Sequence, residues 1–116
     1  MTGMTLEIHQ QNGGAVFEVG GRLMYESDSQ AFHAKLNEQI AAGAKWIVVD
    51  LSRVIGMSST GLGILIWAHR TASEQGFSLK LASLSDKVRS VLQITRLNSV
   101  FEVYESVEEA IQTTKG

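Results

Sequence analysis

The six residues Trp46, Ile47, Val48, Val49, Asp50 and Leu51 form a short, almost unbroken apolar run rich in β-branched side chains. A strand with that composition is covered on both faces, so it belongs in the middle of a sheet with other elements packed on it. After a loop from Ser52 to Ser58, the stretch from Thr60 to Gln75 reads as a helix closed by Gly76, and Phe77, Leu79 and Leu81 then alternate as another strand. A strand, helix, strand unit of this kind normally makes a right-handed parallel crossover.

Upstream, Leu6 and Ile8 alternate with Glu7 and His9 between Thr5 and Gln10. Asn12, Gly13 and Gly14 separate them from a second strand-like run, Ala15 to Val19, which Gly20 and Gly21 are expected to end. Asn and Gly tolerate the positive φ of tight turns, so this reads as a β-hairpin. From Ser27 to Ala42 the apolar residues Phe32, Leu36 and Ile40 recur at helical spacing, with Ser27 or Asp28 as N-cap and Gly43 as the stop. Downstream, Asp86 to Thr95 carries Val88, Val91 and Leu92 on one helical face, Val100 to Tyr104 is a short strand, and Val107, Ala110 and Ile111 mark a last helix. A hairpin followed by alternating helices and strands predicts an α/β fold: a mixed β-sheet opened by the hairpin, with amphipathic helices packed on it. Without a repeat, linker or low-complexity tract, residues 1–116 are expected to form a single domain.

Composition narrows the partners. Ten Lys and Arg against twelve Asp and Glu give a formal charge of −2, with the basic residues scattered and Lys87, Arg89 and Arg96 the nearest thing to a patch. That is no electrostatic footprint for nucleic acid, and no apolar run approaches the roughly 18 residues of a membrane span. No nucleic acid and no membrane partner is expected. The lack of a secretory leader pattern and of cysteine fits a cytoplasmic, reducing compartment and excludes thiolate chemistry.

The chemistry-bearing text is Gly56, Met57, Ser58, Ser59, Thr60, Gly61, Leu62, Gly63, between the buried strand and an apolar helix. Gly56 and Gly61 have the spacing of a nucleotide-binding P-loop, but Leu62 and Gly63 stand where its lysine and magnesium-binding hydroxyl must be. The hydrolase elbow G-x-S-x-G fails for both serines, since Ser58 is followed two residues later by Thr60 and Ser59 is preceded two residues earlier by Met57. His9, His33 and His69 lie in separate elements, without triad signature or metal-ligand spacing to one another. No catalytic residue, metal or cofactor is expected, and the chain reads as a non-enzyme. The loop does suit a phosphate, because a helix start offers free N–H groups and the positive end of a dipole. A hydroxyl of Ser58 or Ser59 serving simply as N-cap is compatible with that reading.

Asp50, Leu51, Ser52, then Met57, Ser58, Ser59, Thr60, Gly61, Leu62, Gly63 resembles the phosphorylation loop of STAS domains in bacterial anti-sigma factor antagonists, and Gly21 to Leu23 resembles that family's turn after its second strand. The order of elements agrees along nearly the whole chain. The resemblance implies the STAS fold, phosphorylation at Ser59 by a serine kinase that is itself the anti-sigma factor, a counteracting serine phosphatase, and no bound metal or cofactor. Two positions depart from the pattern: Ser58 stands where the family often has aspartate before the phosphorylated serine, and Met24 where it often has another aspartate.

Leu62, Ile64, Leu65, Ile66, Trp67 and Ala68 make the following helix apolar around more than one face, wider than a stripe that merely covers a sheet. Burial between the sheet and another helix explains any one of these side chains, and contact with a partner explains the width. The expected partner-binding set is Ser58, Thr60, Gly61, Leu62, Ile64 and Trp67 around the phosphoacceptor Ser59. The leading expectation is a partner switch: the unmodified protein captures an anti-sigma kinase, and phosphate on Ser59 ends the capture. The alternatives are a STAS scaffold or transporter-associated subunit in which Ser59 is only a cap and, weakest for want of a base, a small hydrolase.

Overall fold

The computed structural model describes residues 3–77 and 79–114; Met1, Thr2, Ser78, Lys115 and Gly116 lie outside them. The strands are β1 (Met4–Gln11), β2 (Gly14–Leu23), β3 (Ile47–Met57), β4 (Leu79–Ala82) and β5 (Glu102–Tyr104). The helices are α1 (Glu26–Ala41), α2 (Ser59–Glu74), α3 (Asp86–Ile94) and α4 (Val107–Gln112), with a 3₁₀ turn at Leu97–Ser99. The sheet runs in the order β1-β2-β3-β4-β5. β1 and β2 pair antiparallel, and every later pair is parallel. This is the expected α/β fold with a mixed sheet opened by a hairpin.

Strand alternation sorts the core into two layers. Ala15, Phe17 and Val19 of β2 and Ile47, Val49 and Leu51 of β3 pack with Phe32 and Leu36 of α1, Ile64 and Leu65 of α2, and Val88 and Leu92 of α3. The intervening Val16 and Val48 cluster with Trp46, Ala82 and Ala110 of α4. Each fully buried Leu, Ile or Phe contributes about 1.5 to 3 kcal/mol, so the double coverage of β3 anchors the sheet.

The hairpin turn consists of Asn12 and Gly13 alone, at φ 45° and 86°, flanked by the paired Gln11 and Gly14. Gly14 is thus the first residue of β2 and not part of the turn; a Cβ there would collide with the indole of Trp46. Trp46 itself lies just before β3, buried, with its Nε1–H donating to the Asn12 carbonyl at 3.3 Å.

Several boundaries differ from the sequence expectation, among them the start of β5, at Glu102 rather than Val100. Gly20 and Gly21 do not end β2, which continues to Leu23 through two register irregularities, with Gly21 at φ 76°. β3 likewise continues through Ser52–Met57, because this extension of β2 supplies it with a hydrogen-bonding neighbour. α1 starts at Glu26 with Tyr25 as N-cap, rather than at Ser27 or Asp28. Asp28 instead turns its carboxylate back to accept from the N–H groups of Tyr25 at 3.1 Å, Met24 at 3.3 Å and, on β1, Met4 at 3.0 Å. The stop at Gly43 holds, with φ 94°. Phe77 lies outside β4, whose four residues are all buried; among them Lys80 is held by a 2.9 Å ion pair to Glu102.

Candidate functional site

Leu23 and Met57 are paired at the ends of β2 and β3, and the chain leaves both strands there to enter α1 and α2. The Ser58 N–H donates to the Leu23 carbonyl at 3.2 Å. Its Oγ accepts from the Thr60 N–H at 3.2 Å and lies 3.5 Å from the Met24 carbonyl. Ser58 is therefore the N-cap of α2, half-buried and held from both sides.

Ser59 is the first residue of α2 and is exposed. Its own N–H and that of Gly61 make no hydrogen bond among the described residues. Two of the unpaired donors that open every α-helix are thus left beside an accessible hydroxyl. The remaining members of the expected surface divide. Thr60, Leu62 and Trp67 are half-buried. Gly61 is buried against Leu23, and Ile64, 1% exposed, is part of the core between α2 and the sheet. Neither Gly61 nor Ile64 presents a surface, because the apolar width of α2 is taken up on one side by the sheet and on another by α1.

Trp67 shows that second contact. Its indole stacks on the imidazole of His33 of α1, with centroids 3.6 Å apart and planes 25° from parallel. His33 Nε2 lies 3.3 Å from Ser29 Oγ. Desolvation lowers the His33 pKa below its ordinary value of 6.5, partly offset by the nearby Glu26 carboxylate. His69, further along α2, meets Phe101 edge-on at 5.4 Å. None of the three histidines bonds to Ser58 or Ser59 among the described residues, so no nucleophile and base pair assembles at the loop.

Sequence reasoning missed two residues beside this loop. Tyr25, directly after the Met24 carbonyl that Ser58 approaches, is 49% exposed, and Ile55, near the end of β3, is 64% exposed. Both fell in stretches read as turn or loop, where no periodicity marks an apolar side chain as outward-facing. A concavity of about 410 Å³ lies at the opposite end of the sheet, lined by the hairpin turn and by Gln39, Ala42, Gly43 and Ala44.

The chain is 34% identical over 64 residues to the anti-sigma-B factor antagonist of Bacillus subtilis, an alignment covering 55% of this chain and 59% of that protein. It is 25% identical over 115 residues to the anti-sigma-F factor antagonist RsfB of Mycobacterium tuberculosis, covering 97% and 91%. Among solved structures, the anti-sigma factor antagonist SpoIIAA in its unphosphorylated form superposes with a TM-score of 0.82 at 24% identity over 97% of both chains. The phosphorylated form of the Bacillus SpoIIAA gives 0.75 at 22% identity, over 96% of this chain and 100% of that one. These names are those of regulators, not catalysts. The STAS domain family model matches residues 5–110, nearly the whole length over which the sheet and its helices extend, and the chain belongs to that family.

Proposed function

We propose that this protein is an anti-sigma factor antagonist in which Ser59 is a phosphorylation-controlled switch. The observation that carries the reading is the exposed Ser59 hydroxyl at the first position of a 16-residue helix, next to two N–H groups without partners. A phosphate there gains the helix dipole and those donors, so the domain accommodates the modification without unfolding. Seen from a partner, the same phosphate adds about −1.5 to −2 charges to a surface with the exposed Ile55, four residues before Ser59, and the exposed Tyr25, directly after the Met24 carbonyl that Ser58 approaches. Docking would then require desolvation of a dianion, which favours release. The names of the relatives support a partner that is an anti-sigma factor; the kinase acting on Ser59 and a serine phosphatase reversing it complete the cycle. The contact surface in this reading is Ser58, Ser59, Thr60, Leu62 and Trp67, joined by Tyr25 and Ile55.

The test is a pull-down from native lysate with and without phosphatase treatment, followed by binding assays on Ser59→Ala, Ser59→Asp and the phosphorylated protein. An anti-sigma kinase recovered by unmodified bait, constitutive binding by Ser59→Ala and weakened binding by the other two forms support the switch. Equal affinities for all forms, dominant phosphorylation at Ser58 or Thr60, or recovery of transporter subunits alone would overturn it.

A further inference from the structure

We propose that Glu7, His9 and Glu18 form a binding site for a divalent transition-metal ion, best suited to Zn²⁺, on the outer face of the β1–β2 hairpin. Glu7 and His9 are alternate residues of β1 and so share one face of the sheet. The antiparallel register sets Glu7 directly opposite Glu18. His9 Nε2 lies 3.3 Å from Glu18 Oε1 and 3.7 Å from Glu7 Oε1, and the three candidate ligand atoms all fall within 4.8 Å of one another. Zinc bonds of about 2.0 to 2.2 Å in tetrahedral geometry give ligand-to-ligand separations of roughly 3.3 to 3.6 Å. The hairpin therefore holds three ligands near the required spacing, and small side-chain rotations complete it.

Two further features favour a cation. Carboxylates directly opposite one another on neighbouring strands repel, and the close side-chain contacts of Glu7 and Glu18 among the described residues are to the His9 imidazole. Asp50 of β3 is paired with Glu18 on its other side, extending the acidic row across three strands. A bound dication relieves that repulsion more fully than an imidazole. The donor set also discriminates, since one imidazole nitrogen with two carboxylates suits Zn²⁺ and its transition-metal neighbours over Mg²⁺ or Ca²⁺, which prefer oxygen alone. The Glu7 and His9 side chains are 74% and 52% exposed, so an ion can enter from solvent and keep a coordination position open for water or a ligand from another molecule. Glu18 lies on the same side of β2 as Val16, which packs with Ala110 of α4; the site is thus on the opposite sheet face from α1 and α2, and it does not depend on the Ser59 switch.

The test uses tag-free, full-length protein titrated with ZnCl₂ by calorimetry and by competition with a chromogenic chelator. One saturable equivalent is expected, undisturbed by excess MgCl₂, with affinity reduced roughly tenfold or more in His9→Gln and in Glu18→Gln. Zinc should raise the melting temperature of the wild type and not that of His9→Gln. In wild-type NMR spectra the imidazole signals of His9 should move while those of His33 and His69 stay, a readout that does not depend on any variant folding. Absence of saturable binding up to millimolar zinc, wild-type affinity in His9→Gln, or shifts at His33 or His69 instead would overturn the site.

Discussion

Gly61 of α2 packs so closely on Leu23 of β2 that a Cβ at position 61 would run into the Leu23 carbonyl oxygen and side chain. The start of α2 is thereby pressed onto the end of β2, with Ser58 hydrogen-bonded to the same carbonyl. Ser59 is presented from a support that only a residue without a side chain permits.

Gly61→Ala should therefore destabilise the fold by about 1 to 3 kcal/mol, since relief requires the helix to move off the strand. Gly63, whose added Cβ meets nothing within 4 Å, provides the control: Gly63→Ala should be neutral or stabilising by up to about 1 kcal/mol, through helix propensity. Urea denaturation of the two variants checks the contrast, and equal midpoints would contradict the close packing.

Ser58→Ala removes the side-chain acceptor of the Thr60 N–H and should cost about 1 kcal/mol, whereas Ser58→Asp should leave stability within about 0.5 kcal/mol because aspartate caps equally well. We expect Ser58→Asp to alter the rate of Ser59 phosphorylation more than it alters partner affinity, since a carboxylate beside the acceptor acts on the transfer step. Single-turnover phosphorylation, partner titration and thermal unfolding separate the three effects.

Asp28→Ala should cost roughly 2 to 3 kcal/mol, an unusual amount for a residue in a first helical turn. Its carboxylate accepts from three backbone N–H groups and ties β1 to the entry of α1, and bonds to a charged acceptor are among the stronger ones. Hydrogen exchange should show lost protection at the Met4 amide in particular. Asp28→Asn, which keeps one acceptor oxygen, should fall between the two.

The lowered pKa of His33 makes stability depend on pH with a definite sign. Above 6.5 the imidazole is neutral in both folded and unfolded chains, and its contribution is fully present. Below that value the unfolded chain takes up the proton first, so stability falls as pH drops toward the folded-state pKa. A histidine titration by NMR should place His33 below 6.5, and His33→Gln should flatten this part of the stability profile.

Sequence alone determined the strand and helix order, the core stripes Phe32, Leu36, Val88 and Leu92, the hairpin, the glycine stop at Gly43 and the loop at Ser58 and Ser59. Each is local information: side-chain periodicity, the φ tolerance of Asn and Gly, and a hydroxyl cluster before an apolar helix. The Ser58 or Ser59 ambiguity was decided by tertiary structure, because which serine caps α2 depends on where the Leu23 and Met24 carbonyls lie. The extensions of β2 past Gly21 and of β3 past Leu51 were likewise decided by pairing, since each strand supplies the other's hydrogen bonds across glycines that read locally as breaks. The fate of the apolar face of α2 required the neighbours too: Ile64 goes to the core and Trp67 to His33, a division that helical spacing alone does not make. Glu7, His9 and Glu18 meet for the same reason, since residues 11 apart in sequence become cross-strand neighbours only once the register of β1 on β2 is set.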